Sequence, residues 1–187
     1  MKISKQLIKY ALAAVVLLPV LSACGIKETM QGSATEEASM TSSGKTNKGE
    51  TAPSFSLSDL NGNQVQLADF KGQKVYVKYW ASWCSICLAG LEDLNTLAGQ
   101  DNGFQVVTIV TPNYKGEKSA NDFIEWFTNR SYDNITVLLD EGGVWAKKYG
   151  LRGYPSSYYI GSDGILVKSS PGHASNDMIV ETFKEIT

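Results

Sequence analysis

The sequence predicts an α/β domain in which helices flank a mixed central sheet. Three observations lead there. Runs dense in β-branched and aromatic residues alternate with segments whose apolar residues recur every three or four positions. An Asn-Gly turn signal at Asn61-Gly62 lies between two short alternating segments. Two strand-like runs near the C-terminus bracket Ser162-Asp163-Gly164, which places an antiparallel pair beside the alternating elements.

Taken in order, Phe55-Ser56-Leu57 and Val65-Gln66-Leu67 form an N-terminal hairpin around Asn61-Gly62. Lys74 to Trp80 (KVYVKYW) has the composition of a central strand. Leu88, Leu91, Leu94, Leu97 and Ala98 then trace one face of an amphipathic helix from about Cys84 to Gly99. A strand at Gln105 to Val110, a helix at Glu117 to Asn129 and a strand at Ile135 to Leu139 follow. Asp140 is placed to cap a short helix running through Tyr149, with Gly150 as its stop. Ser157 to Ile160 pairs with Ile165 to Lys168, and a helix from Asn176 to about Ile186 closes the chain. No internal repeat or second linker interrupts residues 51–187, which read as one domain.

The preceding segments read as an address and a tether. Lys2, Lys5 and Lys9 are followed by the apolar run Tyr10 to Ala23. That run is shorter than the roughly 20 residues a bilayer-spanning helix needs, so residues 1–23 read as a secretory signal peptide. Leu21-Ser22-Ala23-Cys24 resembles the lipobox of bacterial lipoproteins. The resemblance implies diacylglycerol attachment to Cys24 and cleavage before it, giving a stable two-chain anchor. Residues 25–50 hold no aromatic residue and are rich in Ser, Thr, Gly, Glu and Lys, so 24–50 reads as a lipid-anchored flexible tether. As a coil it would span roughly 30 Å root-mean-square.

Composition excludes several function classes. The 187 residues carry 17 basic and 19 acidic side chains, and loss of residues 1–23 removes three lysines and moves the formal charge from −2 to −5. A nucleic-acid binder relying on a basic surface is thereby excluded. Three cysteines are too few for a disulfide-stapled mini-protein.

Two of the cysteines stand three apart in Trp80-Ala81-Ser82-Trp83-Cys84-Ser85-Ile86-Cys87, between a strand and a helix. There the unpaired N–H groups of the first helical turn favour thiolate over thiol. Cys84, at the start of that turn, reads as the nucleophile. Cys87, one turn further in and more shielded, is suited to resolve a mixed disulfide. A structural zinc site would want four ligands, but the chain has no second Cys pair and one histidine, His173.

WASWCSIC resembles the WCxxC active site of thioredoxin-like proteins. The wider pattern is similar to the extracytoplasmic TlpA/ResA branch over nearly all of 51–187. The matching pieces are the hairpin, the strand-to-helix cysteine turn, Leu139-Asp140, Tyr149-Gly150-Leu151-Arg152-Gly153-Tyr154-Pro155, and Tyr159 to Gly164. With its lipobox, the chain resembles most the extracellular thioredoxin-like lipoproteins of Gram-positive bacteria. The resemblance implies a thioredoxin-like fold with a central insertion and a redox-active Cys84–Cys87 disulfide as the only redox group, with no added cofactor or metal. It implies a cis Tyr154–Pro155 bond facing the cysteines, with Trp83 on the rim and the backbone of Tyr154 free to pair with an extended substrate. It also implies a membrane-tethered reductase fed by a CcdA- or DsbD-like membrane electron donor. Clients would include an extracytoplasmic methionine sulfoxide reductase or an apocytochrome c.

Two positions depart from the family pattern. Thioredoxin has a buried acid where this chain has Lys78, and many TlpA/ResA relatives have a glutamate where it has Gly90. Lys78, if turned inward, would lower a cysteine pKa; otherwise its stem packs and the ammonium reaches water. His173, on a Pro-Gly-His turn, reads as an exposed loop residue rather than a catalytic base. A disulfide-donating oxidase using the same site remains an alternative. A potential of about −120 mV would mark an oxidant, and one of about −270 mV a reductant. A copper carrier built on Cys84, Cys87 and His173 is a further alternative, although such carriers generally have wider cysteine spacing.

Overall fold

A computed structural model of the chain describes residues 46–187. The signal peptide, Cys24 and the tether through residue 45 lie outside the described residues. The described elements are β1 (Glu50–Thr51), β2 (Ser56–Asp59), β3 (Gln64–Gln66), β4 (Lys74–Tyr79), α1 (Ser85–Ala89) and α2 (Leu91–Ala98). They continue with β5 (Phe104–Val110), α3 (Ala120–Thr128), β6 (Val137–Leu139), α4 (Val144–Lys148), β7 (Ser156–Ile160), β8 (Ile165–Pro171) and α5 (Asn176–Lys184).

The strands form one mixed sheet in the order β1-β8-β7-β4-β5-β6-β2-β3. β5 runs parallel to both β4 and β6, whereas β7 is antiparallel to β4. The apolar alternation of β4 explains its central place. Tyr76 and Trp80 enter one core cluster with Leu91, Leu94, Leu97, Phe123, Phe127 and Phe183. Val75, Val77 and Tyr79 enter the other with Phe55, Ala146, Tyr149 and Tyr158. Helices α2, α3 and α5 therefore cover one face of the sheet and α4 the opposite face.

The N-terminal hairpin forms in the expected register, Leu57 opposite Val65. Asp59 closes its turn by accepting hydrogen bonds from the backbone N–H of Asn61 and of Asn63, each at 2.8 Å. Asp140 accepts from the N–H groups of Trp145 and Ala146 at 3.0 and 2.6 Å, holding the first turn of α4. Gly150, with φ +67°, follows its end.

The structure departs from the expected elements in three places. The helix expected over 84–99 is two helices that meet at Gly90, whose N–H donates back to the carbonyls of Cys87 and Leu88. Apolar periodicity runs through this break because both halves bury the same face. The helix expected from Glu117 starts at Ala120 with Ser119 as N-cap, because the Glu117 carboxylate is engaged elsewhere. The fold also reaches back past Thr51 into the segment that composition assigns to the tether. Glu50 pairs with Leu166, and the Asn47 side chain donates to Asp163 and to the carbonyl of Thr187. Polar residues suffice there because they complete an edge rather than a core. No helix among the described residues is long and apolar enough to cross a membrane.

Candidate active site

The site lies where β4 and β5 end. Chain entering from the carboxyl end of β4 forms the Trp80–Cys84 turn, and chain leaving β5 forms the Thr111–Ser119 segment. Tyr154-Pro155 arrives directly before β7, whose first residue, Ser156, pairs with Tyr79. Loops at the carboxyl ends of parallel strands are where open α/β sheets gather their reactive groups.

Cys84 and Cys87 form a disulfide with Cα atoms 5.2 Å apart. Cys84 is the N-cap of α1, and its Sγ accepts the backbone N–H of Cys87 at 3.3 Å. That donor favours the thiolate once the bond is reduced. Cys84 is 6% exposed and Cys87 1%, so Cys84 is the less covered of two buried residues. On either side of Cys84 in sequence, Trp83 and Ile86 are each 52% exposed, forming an apolar rim around a nearly covered disulfide. Trp80, by contrast, is fully buried against Phe123, Trp126 and Phe127.

The Trp83 ring packs edge-on against Tyr154 with centroids 5.7 Å apart. Gly116 lies along its indole nitrogen, where a Cβ would come within 3.5 Å. The Tyr154 hydroxyl hydrogen-bonds the hydroxyl of Thr111, and the Tyr154–Pro155 peptide bond is cis. The Pro155 carbonyl accepts the N–H of Gly172 at 2.8 Å, which ties the Pro171–His173 turn to the same end of the sheet.

Lys78 is 2% exposed, so its stem is buried in the sheet face. Strand alternation puts it between Tyr76 and Trp80, on the face that carries Cys84 and Cys87. Burial lowers its pKa to about 8, with the opposing charge of Asp93 acting in the other direction.

Sequence reasoning missed Glu117. Its carboxylate, in a residue 6% exposed, accepts the Ser82 N–H and the Ser82 hydroxyl, each at 2.6 Å. It also accepts the N–H of Lys118 at 2.8 Å, while the Lys118 ammonium donates to the Ser82 hydroxyl at 3.0 Å. The insertion between β5 and α3 is thereby fastened to the turn two residues before Cys84. The available signal was the Pro112 to Gly116 stretch, which no helix would include. His173 is exposed, as expected, and its ring lies against Gly90. Among the described residues, no three His, Cys, Asp or Glu side chains gather as metal ligands.

Known proteins resemble the chain in sequence and fold. Residues 47–185 match the Redoxin family. The chain is 51% identical over 124 residues to an uncharacterized protein of Haemophilus influenzae, covering 66% of this chain and 80% of the relative. It is 29% identical over 142 residues to the thiol-disulfide oxidoreductase ResA of Bacillus thuringiensis subsp. konkukian, covering 74% and 78%. Its fold superposes with a TM-score of 0.69 and 43% identity on the pneumococcal exposed lipoprotein thioredoxin Etrx1 from Streptococcus pneumoniae strain TIGR4, covering 72% of this chain and all of that one. The bonded Cys84–Cys87 pair, its thioredoxin-like sheet and these likenesses agree: the chain belongs to the Redoxin family and is a thiol–disulfide oxidoreductase of the TlpA/ResA type.

Proposed function

We propose that the protein is a lipid-anchored, extracytoplasmic reductant of protein disulfides. The observation that carries the reading is a buried redox pair, Cys84 less covered than Cys87, set in an exposed apolar rim of Trp83 and Ile86. Reduced Cys84 attacks a client disulfide as thiolate, and Cys87 resolves the mixed disulfide. The apolar rim suits an unfolded or extended client segment, which would lie across Trp83 and pair with the backbone of Tyr154 beside Pro155. Lys78 raises the thiolate fraction from the same face of the sheet.

Anchoring is assigned to Cys24, and the membrane attachment rests on the lipobox sequence and on likeness to a protein described as an exposed lipoprotein. Electrons would come from a CcdA- or DsbD-like membrane donor. Clients such as a methionine sulfoxide reductase or an apocytochrome c fit a reductant acting outside the cytoplasm.

The test is capture in cells. A Cys87→Ser chain is expected to accumulate client proteins as mixed disulfides on Cys84, released by dithiothreitol, while Cys84→Ser accumulates none. Equal recovery from the two variants would contradict the reading.

A further inference from the structure

We propose that His173 is the proton-transfer group for Cys87 when the mixed disulfide on Cys84 is resolved. The inference rests on the oxidoreductase reading and assigns it a residue that neither sequence nor likeness supplied.

The φ of −99° and ψ of 6° at Gly90 suit any residue, so backbone conformation does not demand glycine there. Space does: a Cβ on Gly90 would lie 2.6 Å from Cε1 and 2.8 Å from Nδ1 of His173. The imidazole thus occupies the position a side chain at residue 90 would take. Residue 90 is three positions after Cys87, and its N–H donates to the Cys87 carbonyl at 3.2 Å. Side chains three apart on a helix share a face, with Cβ atoms about 5–6 Å apart. The ring therefore stands beside the residue that ends the helical turn of the resolving cysteine.

Two features make that position useful. Cys87 is 1% exposed and sits in an apolar cluster, where thiolate formation is disfavoured and bulk water cannot take the proton. His173 is exposed, so a proton it accepts can pass on to solvent or to a departing thiolate. Its loop is held in place on both sides, by the Gly172 N–H on the Pro155 carbonyl at 2.8 Å and by Ser175 capping α5. Imidazole is the side chain whose ordinary charge change falls nearest neutral pH.

The other titratable groups on surrounding elements are Lys78 of β4, Glu92 and Asp93 of α2, Asp177 of α5, and Glu117. Lys78 is a cation, Glu117 is committed to Ser82 and Lys118, and Glu92 and Asp93 are exposed on the first turn of α2. Asp177 lies on the first turn of α5, beyond the turn that carries His173.

The Cys84 thiolate attacks the client disulfide and expels the first client thiolate. The Cys87 thiol then gives its proton to a ring nitrogen of His173 as its sulfur attacks Cys84 Sγ. The Cys84–client bond breaks, and the second client thiolate leaves and takes the proton from the imidazolium. The client gains two electrons and the cysteine pair becomes a disulfide.

Stopped-flow reaction of the reduced protein with Ellman's reagent separates the two steps. The first chromophore release reports attack by Cys84, and the second reports attack by Cys87. In His173→Ala and His173→Gln the second phase is expected to slow about a hundredfold at pH 7 and to converge with wild type above about pH 9. The first phase stays unchanged. Adding Gly90→Glu to His173→Ala, which puts a carboxylate in the vacated space, is expected to restore the second phase. Second phases equal to wild type in rate and pH profile, in both His173 variants, would overturn the role of His173 and leave the exchange reading intact. A wild-type protein that shows no second release would overturn the exchange reading and this proposal together.

Discussion

Replacing Lys78 with Met is expected to stabilise the oxidised protein at pH 7 and to weaken the thiolate in the reduced one. The buried ammonium is charged at neutral pH although burial has lowered its pKa from 10.5 to about 8. Below pH 8 the native state holds that charge at a cost the unfolded chain does not bear. Between about 8 and 10.5 the unfolded chain binds more protons than the native one, so wild-type stability rises with pH across this window. The penalty at neutral pH is at most about 3 kcal/mol. Urea unfolding should therefore show Lys78→Met more stable than wild type by up to that amount at pH 7, with the gap closing towards pH 10.5. In the same variant the Cys84 thiol should titrate at higher pH, because a cation on the same face of the sheet has gone. A gap of constant size from pH 7 to 10.5 would contradict the buried charge, and an unchanged thiol titration would remove Lys78 from the redox mechanism.

Glu117→Ala is expected to act in the opposite direction. The carboxylate accepts from the Ser82 N–H, the Ser82 hydroxyl and the Lys118 N–H. Ser82 is itself only 6% exposed, so its donors cannot turn to bulk water when the acceptor is lost. Each stranded buried donor costs about 1–3 kcal/mol, which sets the loss of stability at about 3 kcal/mol. The Ser82 amide should lose most of its hydrogen-exchange protection, and reduction of client disulfides should slow because the turn that positions Cys84 is loosened. Glu117→Gln, which keeps one acceptor oxygen, should lose less of both. Retention of wild-type exchange protection at Ser82 in the alanine variant would contradict this anchoring.

Much of the fold was legible because its determinants are local. The Asn61-Gly62 turn, the alternation of β4 and the strand-to-helix position of Cys84 and Cys87 each need only a short window of chain. The parts that were not legible depend on contacts between distant residues. Glu117 reaches Ser82 across 35 positions, so it looked like the first turn of a helix. Asn47 reaches Thr187 across 140, so it looked like tether. Gly90 and His173 were visible separately, one as a missing acid and the other as a loop histidine. Only their contact shows that one fills the space of the other. Lys78 keeps two readings in the sequence, since a buried lysine stem on a strand can end in either a core or solvent.

The central claim is that Cys84 and Cys87 pass an electron pair to protein disulfides. The most direct measurement mixes the fully reduced protein with insulin and follows both partners by mass after acid quenching. The expected result is loss of insulin disulfides matched one for one by protein carrying the Cys84–Cys87 bond. Intact insulin beside a persistent Cys84–Cys87 dithiol would contradict it.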